Sequence, residues 1–373
     1  MKITFFSNFL NHHQLPFCIE IKKYPNVDFK FVATQKIPEE RIKLGYEDMN
    51  SKYDFVVEAY KNQQEAETLA KESDIVIIGE APNYYLKLRK NKVSFRYSER
   101  IFKSKFSLKS LVGMYIRNYK YNTTNNYLLC ASAYAASDYN KFNFFVKRSF
   151  KWGYFPEIKK YVNIDELLEK KDDNLILWVG RFIKWKHPEI MIDVAKYIKN
   201  NNLTYKINMI GEGPLKDNIR NSIKKEGLEN IIKIYDSMSP QEVRKNMEMA
   251  KIFLFTSDRH EGWGAVLNES MNSACLVIAN EMIGSVPYIV KNEYNGFTYR
   301  NVNEIYHIIS CISLNKYDTN VIGKKAYESM VNYWCPEEAA KRFLKLSKVI
   351  LEKQNYYCIF EDGPLSLECK KRR

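Results

Sequence analysis

FLFTSDRHEGWGAVLNESM, residues 253–271, is the stretch whose reading decides the fold. Phe253-Leu254-Phe255 is an apolar run of the kind that forms a buried strand, and the polar cluster Thr256-Ser257-Asp258 marks its end. Gly262 and Gly264 then mark a turn, and from Trp263 or Gly264 onward the pattern reads as helix. A strand passing through a glycine-rich turn into a helix is the repeating unit of a doubly wound α/β domain. Such domains bind ligands in the loops at the carboxyl ends of their strands. The first N–H groups of a helix placed there lack intrahelical partners, and with the helix dipole they make an anion site. Two acids accompany it: Glu261 before the helix, and Glu269 about two turns inside it. A carboxylate accepts from two hydroxyls, so both suit a polyhydroxyl ligand. Equally, Glu261 is the acid that a helix start attracts, and Glu269 reads as a solvated helix acid.

The same alternation continues on both sides. Leu175–Val179, Ile207–Ile210, Ile231–Tyr235, Ile252–Phe255 and Leu276–Ala279 read as buried strands, nearly all followed by helical periods. In the first half, Ile3–Phe6, Phe29–Ala33, Phe55–Val57, Ile75–Ile78 and Leu128–Cys130 read as strands, with helices over Asn62–Lys71, Leu108–Lys120 and Ala133–Lys141. A chain of 373 residues exceeds one ordinary core. A fresh βα series opens at Asn174, after a short charged helix or linker over Ile164–Asp173, so the boundary is expected near 155–172. The expected organisation is α/β: two Rossmann-like doubly wound domains, 1–160 and 161–335, facing each other across a cleft. Residues 336–373 follow, with a long amphipathic helix over Pro336–Lys353 packing back on the first domain and KKRR as a frayed tail.

Three more loops of the second half leave strands and carry candidate ligand-binding groups. Gly180-Arg181-Phe182-Ile183-Lys184-Trp185-Lys186-His187-Pro188 places Arg181 and Lys186 five residues apart before a helix that Pro188 suits. An arginine fork and a lysine point charge can converge on a phosphate, or can simply make a solvated basic loop. Gly211-Glu212-Gly213-Pro214 flanks an acid with two glycines, which let backbone approach a ligand or form a plain turn. Met282-Ile283-Gly284-Ser285-Val286-Pro287 is a short turn able to close on the same site, and Asn295-Gly296-Phe297 reads as a hairpin turn.

Composition narrows the class. Apolar content of 45% and charged content of 27% are ordinary for a globular protein, and no run of about 18–20 apolar residues offers a membrane span. MKITFFSNFLNHHQLPF lacks a secretory leader pattern, which predicts a cytoplasmic protein. Seven scattered cysteines without a CxxC pair fit reduced thiols. The net charge of +14 is uneven: Arg89 to Tyr121 holds ten Lys or Arg residues and one acid, Glu99. Phe95, Tyr97, Phe102 and Phe106 lie among those cations as in a nucleic-acid site, but the loops above already account for the chain, so no nucleic-acid partner is expected. Leu108, Leu111, Val112, Tyr115, Ile116 and Tyr119 recur at near-helical spacing beside Lys103, Lys105, Lys109, Arg117 and Lys120. That is either a helix packing its apolar face on the core or a basic amphipathic helix on an anionic inner-leaflet surface.

Taken together, GR…K, GEGP, S-x-x-x-EG-x-G…E, G-x-x-P and NGF, in order over residues 174–300, resemble the family-4 retaining glycosyltransferases (glycosyl transferases group 1), which have the GT-B fold. The E-x7-E signature is Glu261 to Glu269. The resemblance implies that Arg181 and Lys186 hold a donor diphosphate, that Glu269 binds the nucleotide's ribose and that Glu261 contacts the transferred sugar. It further implies that the amides of Gly262, Trp263, Gly264 and Ala265 cap phosphate or sugar, and that Gly211, Glu212 and Gly213 lie near the nucleotide. The first half matches less well. Where the family often has a glycine-rich loop, this chain has Ser7-Asn8-Phe9-Leu10-Asn11-His12-His13, so Asn8 and Asn11 are candidate polar contacts and His12 or His13 a candidate for the family's N-domain histidine. The implied activity is retaining, metal-independent transfer of a glycosyl group from a nucleotide-diphosphate sugar to a saccharide or lipid-linked saccharide, in surface polysaccharide or glycolipid synthesis. No cofactor is implied beyond the donor. No DxD motif offers a metal site, and cations with a helix start supply charge stabilisation instead. A nucleotide-sugar epimerase of the same fold and a non-catalytic nucleotide-sugar binder are the alternatives.

Overall fold

The computed structural model describes residues 1–39, 42, 47–89, 91–103 and 108–368, with Leu108 and Ser110 described by backbone alone. Lys105, Phe106 and the KKRR tail lie outside the described residues. The chain divides into two compact units, Met1–Glu157 with Trp334–Arg373, and Ile158–Tyr333.

The first unit holds seven strands: β1 (Lys2–Ser7), β2 (Asp28–Ala33), β3 (Val56–Glu58), β4 (Ile75–Ile78), β5 (Ser94–Ser98), β6 (Asn126–Cys130) and β7 (Ser149–Lys151). They pair in the order β3-β2-β1-β4-β5-β6-β7, all parallel. The second holds β8 (Asp172–Val179), β9 (Lys206–Ile210), β10 (Ile232–Tyr235), β11 (Ala250–Phe255), β12 (Leu276–Asn280) and β13 (Phe297–Tyr299), in the order β10-β9-β8-β11-β12-β13, again all parallel. Parallel strands covered on both faces must be apolar along their length, and β4 and β11 are buried at every residue. Both sheets are doubly wound, and the strand order reverses between β1 and β4 and between β8 and β11.

Helices form where sequence caps them. Asn62 accepts from the Glu65 amide at the start of Gln63–Glu72. Ser239 and Glu242 make a reciprocal capping box on Pro240–Met249. The helix Pro336–Leu351 belongs to the first unit, where Phe343 packs against Phe17 and Phe95 with ring centroids 5.9 and 5.2 Å away.

Several sequence expectations change. Asn295-Gly296-Phe297 does not turn a hairpin: Phe297–Tyr299 is a parallel edge strand on β12. Asn295 is buried and clamps the preceding turn, donating to the Ile289 carbonyl at 3.0 Å and accepting from the Lys291 amide at 2.7 Å. Ile164–Asp173 divides into a helix over Ile164–Glu169 and the opening residues of β8. Strands β5 and β7 carry too few apolar residues to stand out in the sequence.

The basic segment also resolves differently from a single charged face. Arg89 is buried and donates to the carbonyls of Ala70, Ser73, Asp74 and Val93; burial lowers its guanidinium to about 10. Arg100 is buried over the Tyr134 ring, 4.5 Å from its centroid, and Lys103 pairs with Glu99 at 2.8 Å. The helix here covers Leu108–Asn118 and continues as a 3-10 turn over Tyr119–Tyr121. It buries Met114 and leaves Val112, Tyr115, Ile116 and Tyr119 about half exposed. Of the two readings of this helix, packing on the core holds for Met114 and for one side of Tyr115, which stacks on Phe144 at 5.6 Å, while Val112, Ile116 and Tyr119 stay about half exposed.

Candidate functional site

Because β8 and β11 are neighbours, with Ile176 opposite Ile252, the loops leaving them meet at the point where strand order reverses. Hydrogen bonds join them. The Trp178 indole donates to Thr256 Oγ1 at 2.8 Å, Thr256 Oγ1 donates to the Lys186 carbonyl, and the Asp258 amide donates to the Trp185 carbonyl at 3.0 Å. Lys186 and Glu261 thereby form an ion pair, with side chains only 14% and 15% exposed. Ser257 Oγ donates to the same Glu261 oxygen at 3.0 Å. The loop after β12 closes on this turn as well: the Gly284 amide donates to the Glu261 carbonyl at 3.3 Å, and Ser285 Oγ to the Trp263 carbonyl at 2.6 Å. Arg181 stands exposed on the same loop as Lys186, its guanidinium 5.7 Å over the Trp185 ring.

The glycine-rich turn delays the helix. Gly264 has φ +80°, and a Cβ there would lie 2.5 Å from the Phe255 ring. The helix runs Val266–Asn272, so Glu269 sits in its first turn, not two turns in. The Trp263 indole is fully buried and donates to Asn268 Oδ1 at 2.8 Å, so its side chain is core and its backbone alone faces the turn. Among the described residues the amides of Gly262, Gly264 and Ala265 have no protein acceptor. Burial raises the Glu269 carboxyl above its ordinary value, a shift that the charge of Arg244 only partly opposes. No hydrogen-bond donor among the described residues meets that carboxylate.

Gly211 and Gly213 serve a protein contact. At φ +148° and +149°, Cβ atoms would lie 2.0 Å from the Gly180 carbonyl oxygen and 2.6 Å from that of Phe182. The Phe182 amide donates to the Glu212 carbonyl at 2.8 Å, so this loop braces the one bearing Arg181 and Lys186. The Glu212 side chain pairs with Lys216, a buried cation that Asp236 also holds.

In the first unit, Asn11 shapes its own turn. Its carbonyl oxygen accepts from the amides of His13 and Gln14, and its amide donates to Gln14 Oε1 at 3.1 Å. Asn8 donates to Glu80 Oε2 at 3.2 Å, across the point where β1 and β4 diverge. The rings of His12 and His13 lie 3.7 Å apart, and His13 stacks on Tyr154, which donates to Glu99 at 2.6 Å. Glu80, Glu99 and Tyr154 stand as lone residues after separate strands and form no motif, so the sequence carries no signal that they gather beside Asn8 and His13. Ser257, Asp258 and His187 were quoted in the motifs without a role; their adjacency to Glu261 and Lys186 was the available signal.

The second unit is thus a doubly wound domain with two cations, three backbone amides unpaired among the described residues, and two acids gathered at the carboxyl ends of its strands. Residues 160–328 match the family model for glycosyl transferases group 1, a span that lies within the second unit. An uncharacterized glycosyltransferase of Methanocaldococcus jannaschii is 32% identical over 190 residues, covering 50% of this chain and 48% of that protein. The poly(ribitol-phosphate) alpha-N-acetylglucosaminyltransferase of Staphylococcus aureus is 25% identical over 177 residues, 47% of this chain and 35% of its own. The chain therefore spans about half, or less, of the curated relatives it matches. Among solved structures, Anabaena HepE in complex with UDP superposes with a TM-score of 0.67 over 92% of this chain and 99% of that one at 15% identity, which shows the shared fold.

Proposed function

We propose that this chain transfers a glycosyl group from a nucleotide-diphosphate sugar to a saccharide or lipid-linked saccharide, with retention and without a metal. The observation that carries this reading is the Lys186–Glu261 pair at the switch point, with the donorless Glu269 carboxylate in the helix that follows. An isolated acid beside a diphosphate is repulsive; paired with Lys186, Glu261 is neutralised and remains able to accept sugar hydroxyls. Lys186 and Arg181 then stabilise charge on the departing diphosphate, with the Gly262–Ala265 turn supplying amides. Glu269 takes the ribose diol, whose hydroxyls are the donors its carboxylate lacks.

In the step proposed, the bond from the anomeric carbon to the phosphate oxygen breaks. The acceptor oxygen bonds the same face, and its proton passes to a phosphate oxygen of the leaving group. Glu261 orients the sugar and forms no covalent bond. The relative that is named for N-acetylglucosaminyl transfer and the neighbour that holds UDP support a nucleotide donor. Screening nucleotide-diphosphate sugars for hydrolysis and transfer tests the reading. Turnover of at least one donor in the presence of a chelator, abolished in Lys186→Ala, is expected. Wild-type turnover by that variant contradicts the phosphate assignment, and isomerisation of the donor's sugar without acceptor, in place of hydrolysis or transfer, points to an epimerase.

The acceptor side is proposed to meet an anionic membrane surface through Leu108–Tyr121. No helix among the described residues is long and apolar enough to cross a membrane. The half-exposed stripe of Val112, Tyr115, Ile116 and Tyr119 beside the exposed Lys109, Arg117 and Lys120 is the pattern of a helix lying in an interface.

A further inference from the structure

His187 occupies a costly conformation. It has φ +48° and ψ +53°, in the left-handed region, and it precedes Pro188, which further restricts its backbone. Its side chain engages both ring nitrogens. Nδ1 lies 2.7 Å from Glu189 Oε1, and Nε2 lies 3.1 Å from Asp258 Oδ2. Ionised carboxylates only accept hydrogen bonds, so a ring held between two of them donates from both nitrogens and is an imidazolium. Asp258 is itself a junction. Its other oxygen meets His260 Nδ1 and the His260 amide, both at 2.8 Å, its amide donates to Trp185, and its carbonyl accepts from the Glu261 amide at 3.1 Å. The His187–Asp258 contact thus links the residue after Lys186 to the turn that carries Glu261.

We propose that the imidazolium of His187 is a positioning residue, clamping the loop after β8 to the loop after β11 so that Lys186 and Glu261 stay in donor-binding register, and that its deprotonation loosens the clamp. This rests on the donor reading of Lys186 and Glu261. The charged groups facing the ring are Glu189 on its own segment and Asp258 from the neighbouring loop, with His260 on the far side of Asp258 and Asp193 beyond Glu189. The Glu189 hydrogen bond, opposed by burial and reinforced by Asp258, raises the imidazole above its ordinary value. The clamp is therefore complete below about 6.5 and lost as pH rises through the raised value.

Two measurements decide the matter. His187→Gly keeps a residue suited to the left-handed backbone, so the variant is expected to fold. In wild type, kcat/KM for the donor should fall as pH rises from 6 to 9. In His187→Gly it should be flat over that interval and lower by about tenfold at pH 6.5. Equal kcat/KM and an unchanged alkaline limb in the variant overturn the clamp while leaving the donor reading intact. The second measurement needs no substrate. The ring nitrogen-15 signals of His187, assigned by their loss in His187→Gly, should report both nitrogens protonated at pH 6.5 and a titration above the free imidazole. A neutral ring at pH 6.5 overturns the proposal. A wild type inactive with every donor fails the donor reading, not the protonation result.

Discussion

Glu269 is the residue whose environment says most about its ligand. Burial raises its carboxyl above the ordinary value, so the charged form is less favourable in the folded protein than in the unfolded chain. The free protein should lose stability as pH rises from the unfolded carboxylate value through the raised one, with the penalty fully present above it. Glu269→Gln removes that charge. The unliganded variant should melt at or above the wild-type Tm at pH 7, while donor affinity falls by about tenfold or more, because a hydroxyl bond to a charged acceptor is worth ~1.5–3 kcal/mol. Thermal melts of both proteins across pH 4–8, with and without donor, check this; a Tm loss without donor would make Glu269 a structural acid. Glu261 and Glu269 were legible in the sequence as a spaced pair, and Lys186 by its distance from Arg181. The Lys186–Glu261 contact was not, because it depends on β8 and β11 being neighbours, a fact of strand order that no local pattern carries.

At the scale of elements, the loops are held by close backbone approach. Gly211→Ala would place a Cβ 2.0 Å from the Gly180 carbonyl oxygen in an unfavourable φ. The expected loss is about 2–3 kcal/mol, read as a lowered Tm, together with weakened donor binding because the brace on the Arg181–Lys186 loop shifts. An unchanged Tm would contradict the brace. Long apolar runs such as β4 and β11 were plain in the sequence, since burial on both faces demands them. β5, β7 and β13 were hidden: SFRYS is too polar, SFK too short, and FTY follows an Asn-Gly pair that normally signals a hairpin. The late helix start, and so the place of Glu269 in the first turn, follows from Gly264 fitting against Phe255, a tertiary contact.

Across the molecule, the charge of +14 divides into two populations. Buried cations such as Arg89 and Arg100 brace the fold, and exposed ones surround the half-exposed stripe of the helix Leu108–Asn118. A count of charges cannot separate these, since burial depends on partners far along the chain. If the stripe meets lipid, the wild type should co-sediment with anionic vesicles at low salt, while Val112→Glu/Ile116→Glu should not and should retain the wild-type Tm. Absence of wild-type binding to such vesicles would remove the membrane from the account.

The central claim, that Lys186, Glu261 and Glu269 form one nucleotide-sugar site, is tested most directly by calorimetric titration of a donor that wild type turns over. One saturable site per chain is predicted, weakened about tenfold or more in both Lys186→Ala and Glu269→Gln. Unchanged affinity in both variants would contradict it.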